Sequence, residues 1–409
     1  MLGPKLFASF VVLVGACIAR NAAADASQSV GSPVAFSEPQ SSSFLRSSPP
    51  QPPASTTADS IADVERLVLE YAIAAERLKT LAADAPATPV PSTTNPAAQS
   101  PIQQNPGRPQ KRCSLEIPND HLVSLRCNAD RIRFIGLGDW GETTERPGVL
   151  AVRDGVLRDA RTGNYDFILS VGDNFYDNGV LNVTDPLWKA SWFDRFRVGT
   201  ELTLPWISFL GNHDHYGKID AQLAYGLSGA MGAKYWIMPS KSFSVDAKVA
   251  TGEKFKIVIP DTMTLNWTND APWVTQEFND PNASFVFAAG HHHVYSSGGR
   301  GDNKDASIAA FNRLIQSTPA VKGYLAGHEH DMQYMRAAGK DYFMFGGGGR
   351  EVKEGEVRPG TAADTVFYAK KYGYALFDVD VAKKVVAVTY HVFNATGHEI
   401  DEITFTRRY

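Results

Sequence analysis

The sequence predicts an α/β domain over residues 111–409, on three grounds. Short apolar runs alternate there with amphipathic stretches of helical period. Several of those runs end in glycine followed at once by polar side chains. The span, roughly 300 residues, is within reach of a single hydrophobic core.

The runs RIRFIGLG, YDFILSVG, LPWISFLG, KFKIVIP, ASFVFAAG, VKGYLAG, DYFMFGG, YALFDVD and KVVAVTY are rich in β-branched and aromatic residues, and they are short. Both features fit buried or half-buried strands. Between them, PGVLAVRDGVLRDA and ASIAAFNRLIQS place apolar residues three and four apart, the spacing of a helix that covers a sheet.

The first 110 residues have a different texture. Residues 1–24 read as a secretory signal peptide, with Lys5 before an apolar core from Leu6 to Ile18 and small residues Ala22 to Ala24 near a cleavage point. Residues 25–110 are dominated by Ser, Pro, Ala, Thr and Gln, too polar to bury enough surface to offset ordering, and are expected to be mostly disordered. One island, residues 58–85, puts Ile61, Val64, Val68, Tyr71, Ala75, Leu78 and Leu81 on one helical stripe. It is either a nascent helix in a spacer or a helix that binds a partner.

Removal of the signal leaves Cys113 and Cys127, and an oxidising destination predicts a disulfide between them. Four glycosylation sequons, at Asn182, Asn266, Asn282 and Asn394, agree with secretion. The formal charge of −4 offers nothing to a nucleic acid or an acidic membrane surface. No later segment is long and apolar enough to span a bilayer.

Five runs deliver metal-capable residues directly after their glycine: GDWG (138–141), GDNFYDNG (172–179), GNHDHYG (211–217), GHHHVYS (290–296) and GHEHDMQY (327–334). Seven of the ten histidines fall in the last three. Side chains at the carboxyl ends of neighbouring strands converge on one crevice, so these residues predict a shared site. Asp139 and Asp173 offer anionic oxygen, Asn212 neutral oxygen, and His291, His328 and His330 imidazole nitrogen. That set suits two hard-to-borderline cations, and one carboxylate can bridge them. The run GGGG (346–349) lacks a following Lys-Ser/Thr and is no Walker loop; it permits close approach of backbone to the crevice.

In this order the five segments resemble those of the metallophosphoesterases and, more narrowly, of the small, animal-type purple acid phosphatases. Gly141 stands where many metallophosphoesterases carry a ligand histidine, and Tyr176 supplies a phenolate in compensation. The resemblance covers roughly residues 130–405 and implies a β-sandwich of two mixed sheets flanked by helices. It further implies Fe(III) held by Asp139, Tyr176 and His330, a divalent Fe, Zn or Mn held by Asn212, His291 and His328, and Asp173 bridging the two.

Animal-type members have a second active-site histidine nine residues beyond the ligand His291. Arg300 occupies that position, so His292, His293 and Arg300 are all candidates for the missing contact. The expected activity is hydrolysis of small phosphomonoesters in mild acid by a secreted, monomeric enzyme, with a water acidified by the metals as nucleophile. His213 is expected to protonate the leaving oxygen, with Asp214 orienting it. A phosphodiesterase or nucleotide hydrolase, or an inactive anchoring relative, are the alternatives.

Overall fold

The computed structural model describes residues 112–162, 164–352 and 361–409. The expected signal peptide, leader and leader helix lie outside the described residues. Among those described, no helix is long and apolar enough to cross a membrane.

The strands form two mixed sheets, as the resemblance implied. The first has nine: β1 (Cys113–Asn119), β2 (Leu122–Cys127), β7 (Phe243–Lys248), β8 (Lys254–Ile259), β9 (Phe285–Ala289), β10 (Val321–Ala326), β12 (Lys340–Phe345), β11 (Met332–Ala337) and β13 (Asp364–Ala369), in that lateral order. The second has seven: β16 (Glu399–Arg408), β15 (Val385–Phe393), β14 (Tyr372–Asp380), β3 (Arg131–Leu137), β4 (Phe167–Ser170), β5 (Trp206–Ser208) and β6 (Trp236–Ile237). All nine runs read as strands from the sequence are strands. Each sheet holds a parallel run: β8, β9, β10 and β12 inside the first, and β3 to β6 along one side of the second. Such strands, covered on both faces, need apolar residues at nearly every position, which made them legible.

A continuous core lies between the sheets. In it Phe134 stacks between Phe167 and Phe377, at centroid distances of 5.0 and 4.5 Å. Helix α1 (Pro147–Arg161) covers the outer face of the seven-stranded sheet through Val149, Val152 and Val156. Its proline sits in the first turn, where no N–H is missed, and Arg158 and Arg161 sit at the electronegative end. Two short helices, α2 (Asn212–His215) and α3 (Ile219–Tyr225), follow β5. Helices α4 (Trp267–Phe278) and α5 (Ala306–Ser317) cover the nine-stranded sheet, with Phe278 and Phe311 stacked 5.9 Å apart. Cys113 and Cys127 face each other across the β1–β2 ladder and are joined by the expected disulfide.

Lys256 on β8 is 4 % exposed, yet its ammonium reaches Glu277 at 2.6 Å, Asp246 at 3.1 Å and Asp280 at 3.1 Å, tying α4 to the sheet. Breaking a buried ion pair from one side leaves uncompensated charge, so Lys256→Met is expected to cost about 3 kcal/mol and lower the melting temperature. Partial burial acts upward on the Asp280 carboxyl, but Lys254 and Lys256 outweigh it and hold it below the ordinary range. Its contribution is therefore present near neutrality and lost as pH falls below about 4. Thermal melts of both proteins between pH 3 and 7 check this: the gap should narrow on acidification, and a gap that widens would refute the assignment.

Candidate metal centre

Strands β3, β4 and β5 point their carboxyl ends at one crevice, and β9, β10 and β12 of the other sheet do the same. Asp139, Asp173 and Asn212 arrive from the first set, His291 and His328 from the second. Asp139, Asp173 and His328 turn into the crevice with φ of 57°, 51° and 71°, a left-handed backbone that non-glycine residues seldom hold. Their neighbours have no room to spare. A Cβ on Gly211 would lie 2.2 Å from Asp173 Oδ1, and one on Gly327 would lie 2.5 Å from Asp139 Oδ2. Strand-end glycine is therefore required for carboxylates and backbone to share this space.

The donor atoms form two groups. Tyr176 Oη lies 3.2 Å from Asp139 Oδ1, 3.0 Å from Asp173 Oδ2 and 3.4 Å from His330 Nε2. In the other group His291 Nε2 lies 3.2 Å from Asn212 Oδ1 and 3.2 Å from His328 Nδ1. Asp173 belongs to both: its Oδ2 faces Tyr176, while its Oδ1 lies 3.4 Å from His291 Nε2. The sequence thus brings all seven expected ligand residues together.

This chemistry fits cations. His291 Nδ1 is 2.8 Å from the carbonyl of Val171, and His330 Nδ1 is 3.2 Å from that of Glu351. A carbonyl only accepts, so each Nδ1 carries a hydrogen and each Nε2 is the nitrogen left facing the crevice, where it can give a lone pair to a cation. Without a cation, His291 Nε2 holds a proton there and donates to the amide oxygen of Asn212. Separations near 3 Å are those of adjacent ligands on an ion with bonds of about 2.1 Å. Burial pushes the Asp139 carboxyl and the Tyr176 phenol well above their ordinary ranges, so without positive charge neither would readily hold an anion. Burial alone would lower His291, but Asp173 and Asp139 outweigh it and raise it to about 9.

The remaining candidates divide. His213 follows Asn212 on α2; its ring lies 4.5 Å from that of Tyr176, and its Nδ1 is 2.5 Å from the carbonyl of Asp177. The expectation that Asp214 orients His213 is corrected. The fully buried Asp214 carboxylate instead accepts from the N–H of Gly211 at 2.8 Å, from Asn174 N at 3.1 Å and from Gln222 Nε2 at 2.8 Å. As the acidic residue at the third helical position it reaches back to the helix start, a capping arrangement that points it away from its neighbour.

His293 is buried, with Nε2 donating to the carbonyl of Gly301 at 2.9 Å. Arg300 has an exposed side chain whose Nε stands 3.9 Å from Glu329, and its backbone N–H donates to Glu329 at 2.9 Å. His292 is half-buried, with its ring 5.4 Å from that of His291 and 4.6 Å from that of His328.

Three features escaped the sequence reading. Arg350, directly after GGGG, places its guanidinium 4.7 Å from the Tyr176 ring centre and pairs with Glu142 and Asp177 at 2.7 and 2.8 Å. Glu329, between the two histidines of the last segment, anchors the Arg300 loop. Asp261 binds His215 Nε2 at 3.0 Å, linking the β8 exit to α2. For Arg350 and Glu329 a lone charged residue beside a glycine run or a ligand was the only signal, and its direction was not readable; Asp261, between Pro260 and Thr262, has no such neighbour.

Residues 132–332 match the Calcineurin-like phosphoesterase family. Tartrate-resistant acid phosphatase type 5 of Homo sapiens is 27% identical over 311 residues, covering 68% of this chain and 91% of that protein. Purple acid phosphatase 7 of Arabidopsis thaliana is 27% identical over 297 residues, covering 68% of this chain and 87% of its own length. Among solved structures, GAP50, the anchor in the inner membrane complex of Plasmodium, shares the fold with a TM-score of 0.55 at 22% identity, over 68% of this chain and 88% of that one.

Proposed function

The chain carries a calcineurin-like phosphoesterase domain of the purple acid phosphatase-like kind, and we propose that it is a secreted acid phosphatase acting on small phosphomonoesters. The observation that carries this reading is Asp173, whose two oxygens face two separate donor groups. In this proposal Asp139, Tyr176 and His330 hold Fe(III), and Asn212, His291 and His328 hold a divalent Fe, Zn or Mn. The phenolate is the hard donor that favours the ferric ion on its side. When bound, the pair would neutralise phosphoryl charge and make water nucleophilic in mild acid.

The chain's own contribution is placement and a proton. The Nδ1 hydrogen of His213 is committed to the Asp177 carbonyl, which leaves Nε2 to carry a second proton toward the leaving oxygen. His213→Ala is then expected to slow hydrolysis of an alkyl phosphate about 100-fold and of 4-nitrophenyl phosphate by about tenfold or less, since a good leaving group needs little protonation. Equal losses on both substrates would remove the acid role.

Secretion is supported by the disulfide and by the sequons: Asn182, Asn266 and Asn282 are exposed, as a glycan requires, and Asn394 is half-buried. The reading as a whole is tested by the pH–rate profile of the purified protein with its metal content measured. An optimum in mild acid is expected; absence of turnover with both metals present would reject it.

A further inference from the structure

His292 is bound on one side and open on the other. Its backbone N–H donates to Thr262 Oγ1 at 3.2 Å, and its carbonyl accepts from Tyr324 Oη at 2.7 Å. Its Nδ1 lies 3.0 Å from the same Thr262 Oγ1, while among the described residues its Nε2 has no hydrogen-bond partner. Thr262 is itself 7 % exposed. A buried hydroxyl has one hydrogen to place, and Nδ1 is the acceptor within reach. The hydroxyl therefore accepts from the main chain and donates to Nδ1, which puts the imidazole hydrogen on Nε2. Were the ring doubly protonated, Nε2 would still carry a hydrogen.

Thr262 is held in turn. Asp261 beside it accepts from Met263 N at 3.1 Å and Thr264 Oγ1 at 2.8 Å, besides pairing with His215 of α2. A Cβ on Gly290 would lie 2.3 Å from Thr262 Cγ2 and 2.6 Å from Tyr324 Oη, so glycine before the ligand His291 leaves the space in which this lock closes. The result is a fixed donor next to His291 and His328. His293 has spent its Nε2 on Gly301, and Arg300 stands on an exposed side chain beside Glu329.

We infer that His292 is a phosphate-binding residue, donating from Nε2–H to a non-bridging oxygen of the substrate, and that Thr262 is the positioning residue that fixes its tautomer and ring direction. This rests on the phosphatase reading for the place of the phosphate, and it names the side chain that grips it. An oxyanion is the ligand class that such a donor, beside a cationic pair, would take.

The test is titration of the full-length, metal-loaded protein with inorganic phosphate by calorimetry, with metals per chain measured for every variant. Thr262→Val keeps the shape and removes the hydroxyl; it is expected to weaken phosphate binding about tenfold at unchanged metal content. Thr262→Ser restores the hydroxyl and should bind within about twofold of the parent. His292→Ala should lose as much as Thr262→Val, and the double variant no more than either, because the threonine acts through the histidine. Equal losses in Thr262→Ser and Thr262→Val, additive losses in the double variant, or unimpaired binding by His292→Ala would each overturn the inference. Binding is read apart from turnover. The expected pattern in a protein without phosphatase activity would support this inference and reject the reading under it. A parent protein that binds no phosphate would overturn both.

Discussion

Asp173→Asn is expected to lower kcat/KM for phosphomonoesters at least about a thousandfold, roughly 4 kcal/mol of transition-state stabilisation, and to lower the metals retained per chain. The substitution keeps size and shape, so the effect isolates charge and donor capacity. In the parent, Oδ2 of Asp173 lies 3.0 Å from Tyr176 Oη, and Oδ1 lies 3.4 Å from His291 Nε2 while accepting the His213 N–H at 2.9 Å. An amide can present an oxygen to one donor group only, and its NH2 would be turned to the other. Two cations held close together would then lose both a shared ligand and the negative charge that moderates their repulsion. Burial opposes the ionisation of Asp173, but His291 and His213 outweigh burial and hold its carboxyl below the ordinary range. The check is steady-state kinetics with metal analysis after gel filtration. Retention of two metals with activity within tenfold of the parent would show that Asp173 bridges nothing.

What the sequence disclosed and what it concealed have separate physical causes. β3, β4, β9 and β10 are buried at most or all positions, so their runs are mainly apolar, with the charged residues Arg131, Arg133 and Lys322 at half-buried positions, and glycine follows their ends. β16 is exposed or half-buried along its whole length, and EIDEITFTRR reads as surface. Helix α4 begins at an asparagine cap and carries Pro272 within its first turns, which breaks the periodic signal while the cap and Val274 and Phe278 hold the helix in place.

The ligand residues were legible because the strand end fixes where each Cα goes. Side-chain direction is a different quantity. Asn212, His213 and Asp214 are consecutive in one short helix, yet they serve the crevice, the Tyr176 ring and the helix's own N-terminus, because successive residues of a helix are about 100° apart. Adjacency in sequence therefore suggested a His213–Asp214 pair that helical geometry forbids. The contacts of Arg350 and Thr262 were unreadable for a related reason: each meets its partner across intervening helices and strands, α4 and β9 in the case of Thr262 and His292, with no periodicity to announce it.

Gly141→Ala tests the site from the backbone side and is expected to be nearly as damaging as loss of a ligand. A Cβ at 141 would stand 2.2 Å from the carbonyl oxygen of Asn174, 2.4 Å from its carbonyl carbon and 2.5 Å from the nitrogen of Phe175. All three are main-chain atoms, so no rotamer change relieves the contact. Nor can Asn174 retreat. Its side chain donates to the Phe209 carbonyl at 2.9 Å and accepts from Ser170 Oγ at 2.6 Å, and its N–H is held by Asp214 at 3.1 Å. The added methyl must therefore displace the Asp139 turn from the segment bearing Asp173 and Tyr176, whose N–H meets the Gly141 carbonyl at 3.3 Å. Overpacking of this kind costs about 1–3 kcal/mol, and a misplacement of about 1 Å at reacting groups about 100-fold in rate. The expected result is a melting temperature lower by several degrees together with a kcat/KM loss of at least about 100-fold. The same contact explains why histidine is absent here. Gly141→His would meet the Asn174 carbonyl before its imidazole reached the crevice, so it should be no more active than Gly141→Ala. Thermal melts and kinetics of both variants decide the matter: a stable, active Gly141→His protein would mean that the tyrosine-bearing segment yields, and that Tyr176 was never forced into place by the glycine opposite it.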